Sequence, residues 1–318
     1  MTTFNLHFVL TNLRGIVIVT PWLLHLLATD VLLSLLLPLS FVAPTAAYHI
    51  SSRLADLVWR GIQFIFTRVN GAQISVSGTP LPPKESAIVV SNHVSWADFY
   101  LIQHLAIGSF MLSRCRYFAK QQLKWVPFLG WGLWVMGMPL ISRRWNKDQK
   151  ELDRVFRGPK VYQWPIWLIS YSEATRYTAQ KYLETVQWCQ AHGKPIPRYT
   201  LYPRTKGFVT AVKALGTSSS VKAVYDLTLA YAHQGRFFEA PEMWETLSRG
   251  DLNKDWRFHV HAERFDIAEL AGKSDEELAS WLEGRWMAKS ALLQELKRKL
   301  EDGQQWSGHE STFKLKGN

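Results

Sequence analysis

The sequence predicts an α/β fold with a central mixed sheet, helices on both faces of it, and an N-terminal membrane-embedded segment of two helices. Short apolar runs alternate with helical patterns through the middle of the chain, which is typical of a sheet covered on both faces. A long apolar tract at 15–44 precedes them. We therefore divide the chain into membrane-anchoring helices at 1–70, a central domain at 71–270, and a C-terminal amphipathic helix with a polar tail at 271–318.

The apolar tract is interrupted by Pro21, His25 and Asp30. Each half is too short to cross a hydrocarbon core of about 30 Å, whereas the whole tract is long enough. A single span would bury Asp30 near its middle, which is costly. We therefore predict two short helices that turn around 29–30, in or on the bilayer. A single tilted span and a cleaved signal peptide are the alternatives.

The later elements follow from periodicity and from start signals. Apolar residues at helical spacing predict an amphipathic helix over 48–69. A capping box at Ser274-Asp275-Glu276-Glu277 starts a long amphipathic helix that ends near Leu300. We expect this helix to pack on its own domain, with docking to a membrane or a partner as the alternative. Between them, strands are predicted at 87–91, 117–119, 138–141, 164–170, 199–202, 223–231 and 257–263, and helices at 98–106, 147–156, 175–191 and 206–215.

A second apolar stretch, at 125–141, carries three tryptophans and three glycines and has basic residues on both sides. Its Gly and Pro residues argue against a continuous helix, and its length is marginal for a membrane span. We predict a platform seated at the membrane interface, with an aromatic belt and a cationic rim. A core segment and a span are the alternatives.

Composition narrows the classes of partner. The chain contains fifteen tryptophans. Tryptophan is favoured where one end of the side chain contacts an apolar environment and the other contacts water, as at membrane interfaces. The formal net charge of +11 is concentrated in the middle, at +8 over 111–160 and +5 over 161–220, against −3 from 221 onward. A cationic surface fits an anionic membrane or a phosphorylated molecule. A soluble nucleic-acid binder has no use for the apolar tract, so we expect no nucleic-acid partner.

Three histidines have an aspartate five residues further on: His25, His93 and His261. Only His93 lies just past a wholly apolar strand, where open α/β sheets place their sites. A neutral imidazole can accept a proton near pH 7, and a carboxylate on its other ring nitrogen fixes the tautomer and stabilises the imidazolium. His93 with Asp98 is therefore the candidate catalytic pair. His25 and His261 are interpreted as structural.

Other junctions between strands and helices are cationic. Glu173, Thr175 and Arg176 follow the strand at 164–170 and are expected to open a helix, whose N-terminus with a nearby arginine would bind an anion. Capping alone is the alternative for Glu173 and Thr175. Two more junctions carry paired cations, Arg143 with Arg144 and Arg204 with Lys206. Several strand ends with this chemistry indicate a phosphorylated ligand.

These blocks resemble the glycerolipid acyltransferases, which re-acylate lysophosphatidic acid and related lysophospholipids. Asn92-His93 through Asp98 matches the family's histidine–four–aspartate signature, and Glu173-Ala174-Thr175-Arg176 is similar to its glutamate–glycine–threonine–arginine block. Each block is weak alone, but four in order over about 85–230 are specific. The other two are Gly137 through Arg143 with Arg144-Trp145, and Pro203-Arg204-Thr205-Lys206-Gly207-Phe208, which is close to a block of the eukaryotic branch.

The resemblance implies a catalytic domain at 71–270, acyl-CoA as the donor, a lysophospholipid as the acceptor, and no bound cofactor or metal. His93 is then the expected general base and Asp98 its orienting partner. The implied substrate-binding residues are Asn92, Arg143, Glu173, Thr175, Arg176, Arg204 and Lys206, with the cations on the acceptor phosphate and Glu173 orienting an arginine or the glycerol. The number of cations favours lysophosphatidic acid; lysophosphatidylinositol and lysocardiolipin are alternatives. The expected location is a membrane, the endoplasmic reticulum first and mitochondria second.

Two positions depart from the family pattern. Ala174 stands where the family has glycine, and Ser172 stands where a proline often precedes the glutamate. A methyl group at 174 would crowd a phosphate that approaches the backbone, which affects acceptor fit more than chemistry.

Rival hypotheses remain at this point. There are three of them: a lipid hydrolase that uses the same histidine, an acyl-enzyme route through Ser95, and a non-catalytic lipid-surface binder. The sequence contains no G-x-S-x-G elbow, no phosphate-binding P-loop and no Cys/His metal spacing. Its two cysteines, Cys115 and Cys189, are interpreted as inert thiols in a reducing compartment.

Overall fold

The structure, a computed structural model, describes residues 6–142, 145–217 and 220–306. A seven-stranded mixed sheet forms its centre. The strands are β1 (Ile74–Gly78), β2 (Ser86–Ser91), β3 (Cys115–Tyr117), β6 (Trp167–Tyr171), β7 (Val221–His233), β8 (Arg236–Phe237) and β9 (Trp256–Asp266); β4 (Ala119–Lys120) and β5 (Leu140–Ile141) form a separate pair. The sheet order is β1-β9-β7-β2-β6-β3, and β8 pairs with β7. The strands β7, β2, β6 and β3 are mutually parallel, whereas β9 is antiparallel to β7.

The helices cover both faces of this sheet, as predicted. They are α1 (Leu6–Leu35), α2 (Leu37–Val42), α3 (Pro44–Phe64), α4 (Asp98–Gly108), α5 (Leu129–Val135), α6 (Trp145–Val161), α7 (Ala179–Ala191), α8 (Lys206–Leu215), α9 (Met243–Ser248), α10 (Leu252–Asp255), α11 (Ala268–Ala271) and α12 (Asp275–Glu301). Strand β2 is buried at all its positions. Val89 packs into the core on the side of α4, while Ile88 and Val90 pack into the core that contains α6, α8 and α12. The apolar run of β2 is therefore explained by burial on two faces.

The N-terminal segment differs from the prediction in one respect. The turn predicted at 29–30 is wrong, because α1 continues through both residues to Leu35. Asp30 is half-buried where α1 packs against α5, close to Gly132, so protein covers part of its carboxylate and the helix has no need to turn there. The break falls at Leu36, just before Pro38 at the start of α2, where proline removes a backbone donor. Over Phe8–Leu35, α1 is long and apolar enough to cross a membrane by length and composition, and most of it is exposed.

The amphipathic helix predicted over 48–69 is present as α3 followed by a π-helical turn over Ile65–Val69. The stretch at 125–141 is not a continuous helix. It contains the end of a 3₁₀ turn, α5 and β5, and α5 packs against α1. Several of its large apolar side chains are exposed beside α1: Trp125, Val126, Phe128 and Trp131.

Three sequence expectations about elements are wrong. Residues 199–202 form a loop and not a strand, because Tyr199 has a φ of +64° and prolines lie on both sides. Helix α7 begins at Ala179 and not at 175, since the hydroxyl of Thr178 caps it by accepting from the backbone N–H of Lys181 at 3.2 Å. Strand β1 was absent from the prediction, and its side chains are mostly half-buried at the edge of the sheet.

Candidate active site

The site lies where the parallel strands β2 and β6 end beside β7, which continues to His233. Ser91, the last residue of β2, pairs with Tyr171 at the end of β6 and with Leu227 of β7. His93 follows two residues later. Between them, the buried Asn92 side chain accepts from the N–H of Leu229 at 2.8 Å and donates to its carbonyl at 3.0 Å. This amide extends the pairing of β2 with β7, so Asn92 holds the strand end, and its predicted contact with substrate finds no support in the geometry.

His93 and Asp98 are brought together as predicted. The Nδ1 atom of His93 lies 2.6 Å from Oδ2 of Asp98. The Asp98 carboxylate also accepts from the backbone N–H of Val94 at 2.7 Å and from that of Ser95 at 3.2 Å. The chain from 93 to 98 therefore folds into a tight turn around the carboxylate. Because the Asp98 side chain is 1% exposed and that of His93 is 19% exposed, the imidazole is the part of the pair that solvent or substrate can reach.

Two tyrosines complete the surroundings of the pair. The hydroxyl of Tyr231, on β7, donates to Oδ1 of Asp98 at 2.6 Å. The ring of Tyr171 stacks on the imidazole of His93, with centroids 4.1 Å apart and planes at 13°. Burial raises the pKa of both phenols well above the ordinary value, so each remains protonated at neutral pH. With Nδ1 committed to Asp98, the Nε2 atom of His93 is left as the nitrogen that can accept a proton.

The loop after β6 is tied to the histidine turn. The N–H of Tyr177 donates to the carbonyl of His93 at 2.7 Å, and the N–H of Arg204 donates to the carbonyl of Ser172 at 2.7 Å. These two bonds connect the loop that contains Glu173 and Arg176 to the histidine turn on one side and to the loop that contains Arg204 on the other. Ala174 has a φ of +58°, in the left-handed region that favours glycine.

The predicted cations divide into two groups. Arg176, Arg204 and Lys206 are described and exposed. Burial raises the pKa of the Tyr171 phenol, and the charge of Arg176 acts on that pKa in the opposite direction. Arg204 belongs to the loop bonded to Ser172, whereas Lys206 forms no hydrogen bond to the histidine turn within the part of the chain that the structure covers. Arg143 and Arg144 lie outside the described residues.

The predicted roles of Glu173 and Thr175 do not match their positions. Glu173 is buried at 3% exposure, and its Oε1 accepts from the indole N–H of Trp286 on α12 at 3.3 Å. Burial raises the pKa of this carboxyl well above its usual range, which favours the neutral acid at pH 7. The hydroxyl of Thr175 accepts from the ammonium group of Lys181. Glu173 therefore connects the loop to α12 on its buried side and does not orient an exposed arginine.

Sequence reasoning missed Tyr171, Tyr231 and Trp286. The two tyrosines occupy apolar strands, where an aromatic residue gives no signal that distinguishes a site from a core. Trp286 lies far along the chain, on a helix that was expected only to pack. Among the residues that the structure describes, no group of three or more His, Cys, Asp or Glu side chains is placed to hold a metal ion.

Comparison with known proteins gives a consistent set of similarities. Residues 73–232 match the acyltransferase family. The chain is 32% identical to 1-acyl-sn-glycerol-3-phosphate acyltransferase 2 of Brassica oleracea over 66% of this chain and 51% of that protein. It is 30% identical to 1-acyl-sn-glycerol-3-phosphate acyltransferase delta of Bos taurus, over 79% of this chain and 63% of that protein. It is 27% identical to lysocardiolipin acyltransferase 1 of Gallus gallus, over 81% of this chain and 66% of that protein. The chain thus spans between about half and two thirds of the length of these relatives.

A solved structure shows a more distant likeness. The 1-acyl-sn-glycerophosphate acyltransferase of Thermotoga maritima aligns over 87% of this chain and 98% of that one, with 17% identity and a TM-score of 0.43. This likeness is too low to bear on the arrangement of the site.

Proposed function

Because this chain belongs to the acyltransferase family, we propose that it transfers a fatty acyl group from acyl-CoA to the free hydroxyl of a lysophospholipid at a membrane. The observation that carries the proposal is the His93–Asp98 pair at the strand end, with Nε2 of His93 uncommitted. A glycerol hydroxyl is a weak nucleophile, and an imidazole held in one tautomer is a suitable base for it. Lysophosphatidic acid is the first-choice acceptor, and phosphatidic acid is then the product.

His93 performs the proton transfer in this mechanism. Its Nε2 removes the proton from the acceptor hydroxyl while the oxygen attacks the thioester carbonyl carbon. Asp98 stabilises the imidazolium that results, and Tyr231 holds Asp98 in place. The tetrahedral intermediate then collapses, the carbon–sulfur bond breaks, and the proton on His93 passes to the departing thiolate. An ordinary thiol has a pKa of about 8.5, so the leaving group needs little assistance.

The acyl-enzyme alternative through Ser95 receives no support from the site. The hydroxyl of Ser95 accepts from the N–H of Ala97 at 2.9 Å, and this bond belongs to the turn around Asp98. Within the described residues, that hydroxyl forms no hydrogen bond to the His93 ring. A direct transfer with His93 as base is therefore favoured.

The acceptor is assigned from charge. Arg176 and Arg204 lie on the two loops that are bonded to the histidine turn or to each other, which suits a phosphate monoester next to the reacting hydroxyl. Arg143 and Lys206 are retained as further candidates. Lysocardiolipin and lysophosphatidylinositol are the alternatives, and the similarity to a lysocardiolipin acyltransferase favours keeping the first of them.

The membrane attachment is assigned to two neighbouring surfaces. One is the exposed apolar face of α1, and the other is the group of exposed side chains beside it that includes Trp125 and Trp131. Tryptophan at this density, with Lys120 and Lys124 alongside, is typical of a protein seated in the interface of an anionic bilayer. The endoplasmic reticulum is the proposed location, with the mitochondrial membrane as the alternative.

The test uses purified full-length protein in nonionic detergent with oleoyl-CoA and a panel of lysophospholipids, and follows both thiol release and the acylated product. We expect His93→Ala to lower kcat by about 10²–10⁴-fold, because it removes the base. His25→Ala is the matched control, since His25 has the same spacing to an aspartate but is exposed on α1. It should leave kcat within two-fold of the wild type.

Three outcomes contradict the proposal, each in a different way. Equal turnover by the wild type and His93→Ala removes the mechanism. Release of free fatty acid without acylated lipid identifies a hydrolase. Lipid association without any turnover of the panel identifies a binding protein.

A further inference from the structure

A second cationic site lies outside the candidate active site. A cavity of about 140 Å³ opens between the α2–α3 junction, α5 and α6, and none of the site residues described above contributes to its walls. Its lining combines three arginines with several aromatic rings: Arg116, Arg154, Arg157, Tyr48, Trp134 and Trp164. Guanidinium groups beside aromatic faces are a common way for proteins to hold phosphate-bearing ligands.

Arg116 carries a buried charge and forms no ion pair with a carboxylate among the residues that the structure describes. Its side chain is fully buried, and its partners are neutral: the carbonyls of Met136, Ser113 and Cys115 and the hydroxyl of Ser52. Four of its five N–H donors are thereby used. A buried cation surrounded only by neutral acceptors is costly, and an anion in the adjoining cavity would lower that cost.

The other arginines add to this positive charge. Arg154 is paired with Glu151, but Arg157 is exposed at the rim and forms no ion pair among the described residues; its guanidinium lies 5.9 Å from the ring of Tyr162. Arg114 lies 5.3 Å from the ring of Tyr48, which Arg116 approaches to 4.7 Å. The walls of the cavity therefore carry more positive than negative charge.

The aromatic wall is already fixed in place. Tyr48 stacks on Trp164 at 4.3 Å, and Tyr162 stacks on the same indole at 5.1 Å. The hydroxyl of Tyr48 donates to the carbonyl of Pro165 at 2.6 Å, and the indole N–H of Trp164 donates to the hydroxyl of Thr45 at 3.2 Å. Because these rings are held by hydrogen bonds within the protein, a ligand would meet a preformed surface and pay little to order it.

The position of the cavity indicates where the ligand comes from. Ser40 of α2 and Pro44 of α3 line it, and both follow directly on the apolar helix α1; Trp134 of α5 forms another wall. We propose that this cavity binds the phosphate-bearing headgroup of an anionic phospholipid from the surrounding membrane. Basic pockets at the polar end of membrane-seated helices are suited to such headgroups. The bound lipid would fix α2, α3 and α5 relative to α6.

The experiment measures binding in detergent, independently of acyl transfer. A short-chain phosphatidylglycerol with a fluorescent tail is titrated with the full chain, and its anisotropy is followed. Arg157→Ala should weaken binding by about ten-fold, because it removes one charge-assisted bond without touching the buried arginine. Lys160→Ala is the matched control, an exposed cation on the same helix that does not line the cavity, and should bind like the wild type.

Competition with unlabelled compounds distinguishes an anionic headgroup from a zwitterionic headgroup and from free phosphate as the ligand. Unlabelled phosphatidylglycerol should displace the probe, while phosphatidylcholine of equal chain length and inorganic phosphate should displace it at least ten-fold less well. Arg204→Ala, which alters the proposed acceptor site, and His93→Ala should both bind normally, so a failure of acyl transfer leaves this result readable. The inference is overturned if phosphatidylcholine or free phosphate competes equally, if Arg157→Ala binds like the wild type, or if Arg204→Ala abolishes binding.

Discussion

Ala174 shows how one residue can carry strain at a site. Its φ of +58° puts a methyl-bearing residue into the left-handed region, at a cost of about 1–2 kcal/mol relative to a helical or extended conformation. The conformation persists because neighbouring bonds hold it: the N–H of Ala174 donates to the carbonyl of Tyr171 at 2.9 Å, and the loop is tied to His93 through Tyr177. The strain is thus localised two residues before Arg176.

Replacing this alanine by glycine should relieve the strain. For Ala174→Gly we expect the free energy of unfolding to rise by about 0.5–1 kcal/mol, since the relieved strain exceeds the extra entropy that glycine gives the unfolded chain. With the acceptor phosphate placed as proposed, we also expect a lower KM for the lysophospholipid, because the substitution removes the methyl group at this position. Urea unfolding in detergent and steady-state kinetics measure the two effects.

The matched control for that change is Ala179→Gly, at the first position of α7. Its backbone is helical, so the same substitution should lower stability. A loss of stability in both variants would show that the conformation at 174 is not strained.

At the scale of single residues, the sequence predicted the contact of His93 with Asp98 better than it predicted the contacts of the residues around them. His93 and Asp98 could be found because a strand end and a fixed spacing single them out. The roles of Asn92 and Glu173 could not, since whether a polar side chain faces a ligand or the interior depends on distant partners. For Asn92 the partner is Leu229, and for Glu173 it is Trp286.

Among the elements, α12 is attached to the sheet by a buried ionic cluster. The ammonium group of Lys289, which is 1% exposed, contacts the carboxylate of Asp226 and the carbonyl of Leu227 on β7. Arg285, one turn earlier, donates to the same carboxylate at 2.7 Å. The indole of Trp286, between them, reaches Glu173. One face of α12 thereby supports both β7 and the loop after β6.

Removing Lys289 should therefore loosen this attachment. For Lys289→Met we expect the free energy of unfolding to fall by about 3 kcal/mol, because Asp226 stays buried and loses one of its two cationic partners. The double variant Asp226→Asn/Lys289→Met should be more stable than Lys289→Met alone. Urea titrations of the single and double variants measure both differences.

Lys194→Met provides the comparison, because Lys194 forms an exposed ion pair with the same helix. It breaks the pair of Lys194 with Glu283 of α12, in which the lysine side chain is 40% exposed, and should cost less than about 1 kcal/mol. Should Lys289→Met cost no more than this control, the cluster does not hold the helix.

The elements that the sequence predicted well are those with their own start signals or full burial. The capping box at Ser274 does form, with its hydroxyl accepting from the N–H of Glu277 at 3.1 Å, and β2 is buried throughout. Strand β1 was missed because an edge strand with half-buried serines has little apolar signal. The loop at 199–202 was mistaken for a strand because composition does not reveal a positive φ.

The whole molecule should be sensitive to acid through a histidine outside the site. His259 of β9 lies between the hydroxyls of Ser75 and Ser77 on β1, at 2.7 and 2.9 Å from its two ring nitrogens. Burial lowers its pKa from 6.5 to about 4, and the charges of His261 and Lys299 act in the same direction. The folded protein therefore keeps this imidazole neutral at pH values where the unfolded chain protonates it.

The direction of the pH effect follows from proton binding. Between about pH 6.5 and 4 the unfolded state binds the additional proton, so stability falls as the pH decreases through this window and is fully present above it. The expected loss from His259 is about 2–3 kcal/mol between pH 7 and pH 4.5. Urea unfolding at both pH values should show a smaller difference for His259→Gln.

His192→Gln is the control for this measurement, because His192 is exposed at the end of α7. It should retain the pH dependence of the wild type. If His259→Gln also retains it, other groups cause the acid sensitivity.

The pairing of β1 with β9 has a consequence for biogenesis. The hydrogen-bonded residues Ser75 and His259 are 184 positions apart. Strand β1 can therefore pair with the sheet only after β9 has been synthesised. Contacts of such long separation form slowly. A ribosome will have synthesised the whole of α1 well before the sheet can close. The unfinished strand edges then need protection from aggregation until translation has passed β9.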